Sequence, residues 1–510
     1  MASITTRQGA LGKRLAAHLL RRTTYRITPS RINEFALKTA EEAIEELFIL
    51  PPYVHPEGPI SVDDDTTAWL TAGPYDARPE NAGVRRRSVA FWLYNEMFHD
   101  TSIRHKMMFF WHSIFITALD EDWRLFDLWR LFQYFAVGNI KTLSYKVTLD
   151  SKMSRYLNNN VNRKGSPNEN YAREFLELFT ILKGEQIGTD NYTNYTEHDI
   201  AEAARVLTGF RDSNFANKDP ETGLATGIAQ FNNHDVGNKK FSSAFNFQTI
   251  VGATSVDDMY RELDDFVNMI FNQPETARAF VRRLYRYFVS DRITDEIERD
   301  VIEPLSIQLQ NDNYEVENTL KTLLTSVHFF DEDDSDNADE IIGGKIKSPL
   351  ELYLSSVNLF NANNLGVLND TPALYATVGR WIIINVFAPM GLPEYAPIVE
   401  GYPGFYKNPS YSKFWFDQST IASRYKLGEA LKNGKTINNN SNMPYRINLS
   451  QYFDSEFEHP EYSSHLVRQF LEITLPEMPD SQRFIYFLDK LEAGLGDINW
   501  LNEWTYFKET

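Results

Sequence analysis

The sequence contains no cysteine among its 510 residues. Disulfide bonds, zinc–thiolate sites, iron–sulfur clusters and cysteine nucleophiles are therefore excluded together. Long apolar runs are also lacking. The most apolar stretch, WIIINVFAPMGL from Trp381, contains Pro389 and Gly391, and it is shorter than the ~20 residues that a transmembrane helix needs. We therefore expect no transmembrane segment.

Positive charge is scarce as well: 70 Asp and Glu against 51 Lys and Arg give a formal net charge of −19. This balance argues against a nucleic-acid partner, because a phosphate backbone favours a basic surface. All residues before Glu34 that carry charge are basic, and we predict that they pair with the acidic body. The alternative is a free basic arm or a transit-type segment. No secretory signal is visible, which indicates a cytoplasmic protein as the sequence is written, and the localisation stays open.

Helical periodicity dominates what remains. In PSRINEFALKTAEEAIEELFIL the apolar residues recur at three-and-four spacing, with Ser30 and Thr39 as candidate N-caps. Helix breaks are predicted at residues 99–102 and 272–274. Strand-like alternation is rare. The sequence therefore predicts an all-α fold, a large multi-helix body with long irregular loops and at most a minor β element around 225–250.

An acidic run at residues 331–340 suggests a division of this body. We predict a main helical domain at 1–330 and a C-terminal helical part at 345–510, with a soft boundary across which the two could pack as one unit.

The stretch NENYAREFLELFT, residues 168–180, carries the densest pattern of charge. Asn168 is a candidate N-cap, and Glu174 and Glu177 then fall on one predicted helical face beside Arg173. The next helical stretch, YTEHDIAEAARVLTGF, has Thr196 as its candidate N-cap and also carries carboxylates. Helices joined by a short connection tend to pack antiparallel, so the carboxylates of the two helices are expected to face each other.

Two interpretations of this helix pair stay open. Carboxylates on paired helices can hold metal ions or divide acid and base roles, which makes Arg173, Glu174, Glu202 and Arg205 the candidate catalytic residues. Arginine among the carboxylates instead favours an internal lattice of Arg–Glu ion pairs that holds the helices in register. The second interpretation is the one we expect.

Histidines supply the remaining candidate metal ligands. His112 lies in the apolar stretch FFWHSIFIT, where a core role is the plainer interpretation, and His234 precedes Asp235 in a Gly- and Asn-rich loop. A loop of that kind can project ligands. The candidate ligands of a divalent metal are His112, Glu174, Glu177, Glu202, His234 and Asp235.

An aromatic loop offers a different surface. GYPGFYKNPSYSKFWF contains Tyr402, Phe405, Tyr406 and Trp415, and exposed rings of this kind stack on sugars or anchor protein interfaces. Carbohydrate or exopolymer binding and a protein partner or assembly are therefore candidate roles. The alternative is a lid packed on the last helices.

Several of these stretches together resemble the bacterial domain-of-unknown-function 1800 (DUF1800) family. They are HLLRRTTYRITPSRINEF, NENYAREFLELFT with YTEHDIAEAARVLTGF, FNNHDVGNKKF, RLYRYFVS, IKSPLEL, MGLPEYAPIVEGYPG and STIASRY. The resemblance implies a large, mainly helical bacterial protein without settled activity, often exported and often encoded beside a sulfatase-like partner. Where the family commonly has FWHNHF this chain has FWHSIF, so Ile114 replaces a histidine.

From these observations we expect a helical binding or assembly protein containing the ion-pair lattice. The first alternative is a metal-assisted hydrolase or oxidase that uses the carboxylate and histidine ligands.

Overall fold

The computed structural model describes residues 2–53, 92–93, 95–117, 122–213, 216–333, 341–359, 383–392, 411–433, 482 and 485–486. Its α-helices there are α1 (Gly12–Thr23), α2 (Pro29–Phe35), α3 (Ala40–Leu47), α4 (Arg104–Ile114), α5 (Asp122–Tyr134), α6 (Ile140–Leu149), α7 (Ser151–Tyr156), α8 (Asn170–Glu174), α9 (Glu197–Val206), α10 (Val256–Phe271), α11 (Pro274–Phe288), α12 (Asp295–Ile297), α13 (Glu303–Asn311), α14 (Val316–Thr325), α15 (Pro349–Leu359) and α16 (Thr420–Asn433). The predicted all-α fold and both predicted helix breaks are confirmed. None of the described helices has the length and apolar character needed to cross a membrane.

Strands are few and short in the described part of the chain. The antiparallel pairs are β1 (Gln186–Gly188) with β2 (Asn191–Tyr192), β3 (Phe210–Arg211) with β4 (Ile228–Ala229), and β5 (Lys239–Lys240) with β6 (Thr249–Ile250). Two of the three pairs fall within or next to the predicted β region at 225–250. The hairpin formed by β1 and β2 was not predicted.

The starts of α2 and α3 test the predicted N-caps Ser30 and Thr39. Thr39 caps α3 in a reciprocal capping box with Glu42, as predicted. The prediction for Ser30 is wrong, because the hydroxyl of Thr28 accepts the hydrogen bond from the Arg31 backbone N–H. Pro29 occupies the first helical position of α2, where its missing N–H costs nothing. The cap therefore falls one residue before the proline.

Large aromatic residues fill the core around α4 and α11. Phe109, Phe110 and Trp111 are each at most 1% exposed. The Trp111 indole N–H donates to the backbone oxygen of Phe135, 3.1 Å away, which ties α4 to the end of α5. Truncating one such ring to alanine typically costs about 3–5 kcal/mol, so this aromatic layer holds the helices on which the candidate sites stand.

The amino-terminal residues are anchored to the body. The Arg7 backbone N–H donates to Thr325 O at 2.9 Å, and the Arg7 guanidinium pairs with Glu332 at 3.1 Å. This pair agrees with the predicted pairing of early basic residues with the acidic body. Contacts also cross the predicted boundary at 331–345, since Asn358 donates to Tyr25 O at 3.1 Å. The boundary itself stays a prediction.

Candidate functional site

The predicted charged stretch begins its helix at Asn170, with Glu169 and not the predicted Asn168 in the N-cap position, and it does not continue as an α-helix. The Asn168 side chain accepts the backbone N–H of Asn170 at 2.9 Å. After α8 the chain forms a π-helical turn over Phe175–Phe179, which bonds residue i to residue i+5. Glu174 and Glu177, both half-buried, therefore lack the regular α-helical spacing on which their predicted common face depended.

Arg173 joins α8 to α9. Its guanidinium pairs with Glu197 at 2.7 Å and with Glu169 at 3.2 Å. Glu197 is positioned because Thr196 and Asp199 form a capping box at the start of α9, which confirms the predicted Thr196 cap. The hydrogen bond with Glu197 raises the pKa of Arg173. The side chain that joins the two helices is thus Arg173, with Glu197 as its partner.

Glu177 has separate partners. Its carboxylate accepts from Lys183 Nζ at 3.2 Å and from the Tyr195 hydroxyl at 3.4 Å. Both partners lie in or beside the hairpin between the two helices. Glu177 is therefore already engaged on this side of the helix pair.

Arg205 forms a second centre of ion pairs. It donates two parallel hydrogen bonds to Asp235, at 3.0 and 3.1 Å, and pairs with Glu202 at 2.7 Å. Glu202 also accepts the Lys240 backbone N–H at 2.7 Å. A side chain at Gly237 would meet the Arg205 guanidinium at 2.8 Å, so this glycine leaves room for it. Sequence analysis placed Glu202 and Asp235 in one candidate site, and the structure does bring them together, around an arginine.

His234 belongs to a buried polar cluster beneath that centre. Its Nδ1 lies 2.8 Å from Thr208 O, and its Nε2 lies 3.3 Å from a Glu262 carboxylate oxygen. Lys239 Nζ donates to the same Glu262 oxygen, and all three side chains are 0% exposed. The other oxygen, Oε1 of Glu262, has no hydrogen-bond partner within the described residues. Glu262 lies in α10 without a distinguishing motif, so nothing in the sequence predicts its place in this cluster.

His112 lies apart from these clusters. It is 1% exposed and packs against the rings of Trp129 and Phe132. Burial lowers its pKa to about 3, so the ring is neutral at physiological pH. Within the described ranges, no three His, Asp or Glu side chains are grouped so that they could hold a metal ion. The six candidate metal ligands thus form no single ligand set there.

The predicted aromatic loop falls mostly outside the described residues, which include neither Tyr402, Phe405 nor Tyr406. Trp415 is described, and it is 0% exposed. The prediction that this ring presents its face to a ligand is corrected here, because the neighbouring side chains cover it. The plainer alternative, a packed aromatic segment, describes Trp415 better.

A cavity of about 260 Å³ lies between the end of α1, the start of α4 and the segment that leads into α15. Five cationic side chains and one carboxylate line it: Arg21, Arg22, Lys106, Lys345, Lys347 and Glu351. With every group ionised and His18 neutral, the lining carries a formal charge of +4. This is the opposite sign from the whole protein, whose formal charge is −19.

The one lining carboxylate is already paired. Glu351 lies 2.7 Å from Lys106 Nζ, which is only 1% exposed and sits 4.5 Å from the ring centre of Tyr25. Although burial opposes the shift, Lys106 and Lys345 lower the pKa of Glu351 to about 2. Glu351 is therefore ionised, and it neutralises only one of the five cations.

Backbone oxygens bind two of the other cations, Arg22 and Lys345. Arg22 donates to Ile341 O at 2.9 Å, and Lys345 Nζ donates to the carbonyl oxygens of Arg286 and Tyr287. Within the described residues, Arg22 and Lys347 form no ion pair with a carboxylate. Because a carbonyl oxygen carries no net charge, these contacts orient the cations without neutralising them.

Burial, and after it the crowding of like charges, perturbs the pKa values of two lysines in the cavity lining. Burial and the charge of Arg22 lower the pKa of Lys345 to about 7, and burial and the charge of Arg21 lower the pKa of Lys347 to about 7. Gly343 is exposed and Lys345 is half-buried, so the cavity reaches solvent along this segment.

The sequence alone does not predict this cavity. The available signals were the double arginine at the end of α1 and the KIK triplet before α15. Both lie in or beside stretches on which the family resemblance rests. The arginines were interpreted only as general partners of an acidic body.

Comparisons with known proteins give one family and no further relative. A family model described as "Protein of unknown function (DUF1800)" matches residues 18–491. No curated protein matches the chain, and no solved structure matches it.

Proposed function

The chain belongs to the DUF1800 family, whose function is unknown, and we propose that it is a helical binding protein whose ligand is a small anion held in the basic cavity. The observation that carries this proposal is the convergence of five cationic side chains and one carboxylate on a single cavity in an acidic protein. Clefts lined by one sign of charge concentrate ligands of the opposite sign. A volume of about 260 Å³ is close to the lower end of small-molecule sites, ~300–1,000 Å³.

The charged helix pair has a different role in this proposal. Arg173 and Arg205 each pair with two carboxylates, and they act as the internal ion-pair lattice that fixes α8, α9 and the loop bearing Asp235. This supports a structural assignment over a catalytic one, because carboxylates shared with arginine are poorly available to a metal ion or a substrate.

Anion titration tests the binding function. We expect inorganic phosphate or sulfate to bind with measurable heat in isothermal titration calorimetry. Removing one charge-assisted hydrogen bond, worth about 1.5–3 kcal/mol, should weaken binding about 10- to 150-fold. Arg22→Gln and Lys347→Met are the test variants. Lys240→Met is the matched control, because Lys240 is exposed outside the cavity and its loss changes the net charge equally.

Two results would contradict the proposal. The first is an absence of anion binding by the correctly folded wild-type protein. The second is an equal effect of Lys240→Met and Lys347→Met, since binding would then follow net charge and not the cavity.

Elemental analysis of the same preparation, before and after mild chelation, tests the metal-assisted alternative. In the proposed protein, chelation leaves the melting temperature unchanged, and Glu202→Gln lowers it because Arg205 loses a partner. Stoichiometric metal that Glu202→Gln removes without a change in melting temperature would instead favour the enzyme.

A further inference from the structure

We infer that the ligand of the basic cavity is a phosphate monoester, with its doubly charged phosphoryl group held by Arg22 and Lys347 and its organic part against the apolar wall. This inference rests on the proposed function and specifies the chemical class of the ligand.

The charge of the cavity favours a dianion. Lys106 is matched with Glu351, and among the other lining cations Arg22 and Lys347 form no ion pair within the described residues. A monoanion would neutralise only one of these two. A phosphoryl group carries a charge of ≈ −1.5 to −2 at pH 7 and three strong acceptor oxygens. It therefore offers both the charge and the acceptors that this lining lacks.

Arginine matches a phosphoryl group in geometry as well as in charge. A guanidinium can donate two parallel hydrogen bonds to phosphate oxygens, whereas an ammonium acts as a point charge. Arg22 uses one terminal nitrogen, Nη2, for Ile341 O, which orients the group while its other N–H donors remain. Lys347 forms no ion pair within the described part of the chain. These two side chains are the ones available to bind the anion.

The volume and the apolar lining of the cavity indicate that the anion is attached to an organic group. Its volume of about 260 Å³ is several times the ≈ 30 Å³ that one water molecule occupies in the liquid. Part of the lining is apolar, formed by Tyr25, Ile27, Ile342 and Ile346. Contact with a free, hydrated anion would bury none of this apolar surface from water and would give no hydrophobic stabilisation. The cavity therefore suits an ester whose organic group covers the apolar wall.

The charged surroundings of the two lysines make binding measurable by proton exchange. The groups that face Lys345 and Lys347 from the packed elements are Arg21 and Arg22 of α1, Lys106 of α4, Asp291 after α11, Glu351 of α15 and Arg424 of α16. Cations outnumber carboxylates among them. With pKa values lowered to about 7, both lysines are largely neutral at pH 8 in the empty cavity. A bound dianion favours their charged forms, so binding takes up protons.

The experiment compares two ligands that share the same organic group, phenyl. Phenyl phosphate is a dianion at pH 8, and phenyl sulfate is a monoanion of similar shape. Each is titrated into the full-length protein at pH 8 in two buffers of different ionisation enthalpy, which yields the number of protons exchanged. We expect phenyl phosphate to bind at least about tenfold more tightly, with roughly one to two protons taken up. Each proton taken up weakens binding by about tenfold for every pH unit above the range in which the lysines titrate.

Controls separate the parts of the inference. Titration with inorganic phosphate measures how much the organic group contributes to the affinity, and we expect inorganic phosphate to bind more weakly than phenyl phosphate. Lys347→Met should remove one of the protons taken up, whereas Lys240→Met should not alter the proton count. Circular dichroism of each variant checks that it is folded, and Arg22→Gln provides a second test of the phosphoryl contacts.

The outcomes are distinguishable. Equal affinity for phenyl phosphate and phenyl sulfate without proton uptake would overturn the phosphate monoester assignment while anion binding itself stands. If inorganic phosphate bound as tightly as phenyl phosphate, the assignment of an organic group to the ligand would be overturned. Failure of all these anions to bind would overturn the proposed function together with this inference.

Discussion

Replacing Glu262 by glutamine tests how the lattice around α9 and α10 is held. Glu262 shares one carboxylate oxygen between Lys239 and His234, and the three side chains are 0% exposed. The substitution preserves shape and removes only the negative charge. Within the described residues Lys239 then has no carboxylate partner, because its remaining contacts are the backbone oxygen of Asp235 and the His234 ring.

The expected cost follows from the depth of burial. Removing one partner of a buried pair costs about 3–5 kcal/mol, since the remaining charge stays unsolvated. An unfolding entropy of ~2.1 cal/mol/K per residue over 510 residues gives about 1 °C per kcal/mol, so Glu262→Gln should lower the apparent Tm by ~3–5 °C, measured by circular dichroism at pH 7. The control is Glu45→Gln, which breaks the pair of Glu45 with Lys321, where the carboxylate side chain is 66% exposed. An exposed pair contributes ~0–1 kcal/mol.

A second variant decides whether the charge is the cause. In Glu262→Gln with Lys239→Met, no unpaired ammonium remains, so most of the lost stability should return. Our reasoning would be refuted if Glu262→Gln were no more damaging than Glu45→Gln. It would also be refuted if the double variant were less stable than the single one by the full cost of another buried substitution.

Two further predictions concern local contacts. Although burial opposes it, hydrogen bonds to Asp100 and Glu96 raise the pKa of His105 to about 9, above its usual 6.5. The stabilisation by His105, about 3 kcal/mol, should thus be complete below pH 6.5 and lost as the pH rises through 9. The Tm gap between wild type and His105→Gln should therefore be wide at pH 6 and narrow at pH 10, and a constant gap would contradict this. Thr196→Ala removes the α9 cap and should cost about 1 kcal/mol in urea unfolding. Ser30→Ala, which removes no helix cap, should cost less.

Local sequence patterns predicted much of the fold because the interactions behind them are local. Thr39 and Thr196 cap their helices through bonds to residues three positions away, which a spacing rule captures. The hairpin at 186–192 was missed, because its strands are short and largely exposed and leave no alternating pattern. The π-helical turn at 175–179 was also missed. Its i+5 bonding has no sequence signature comparable to a cap.

The candidate sites were harder to predict because their members come from distant segments. Arg205 was expected to meet the carboxylates of α8, and it instead binds Asp235, thirty positions away. Glu262 became part of the cluster only through the packing of α10. For the basic cavity, sequence alone gives the charges of Arg22 and Lys347 but not that the two segments face each other. The charge of each side chain is known from the sequence, whereas the meeting of charged side chains from distant segments depends on tertiary packing.

The origin of the cavity walls also has a consequence during protein synthesis. Arg22 and its partner Ile341 are 319 positions apart, and a ribosome adds ~5–20 residues per second. Roughly 15–65 seconds therefore pass between the synthesis of the first wall and that of the second. During this interval Arg22 lacks the segment that orients its guanidinium in the folded protein. A ligand that binds the completed cavity therefore cannot assist the first helices to fold before the segment that leads into α15 has been synthesised.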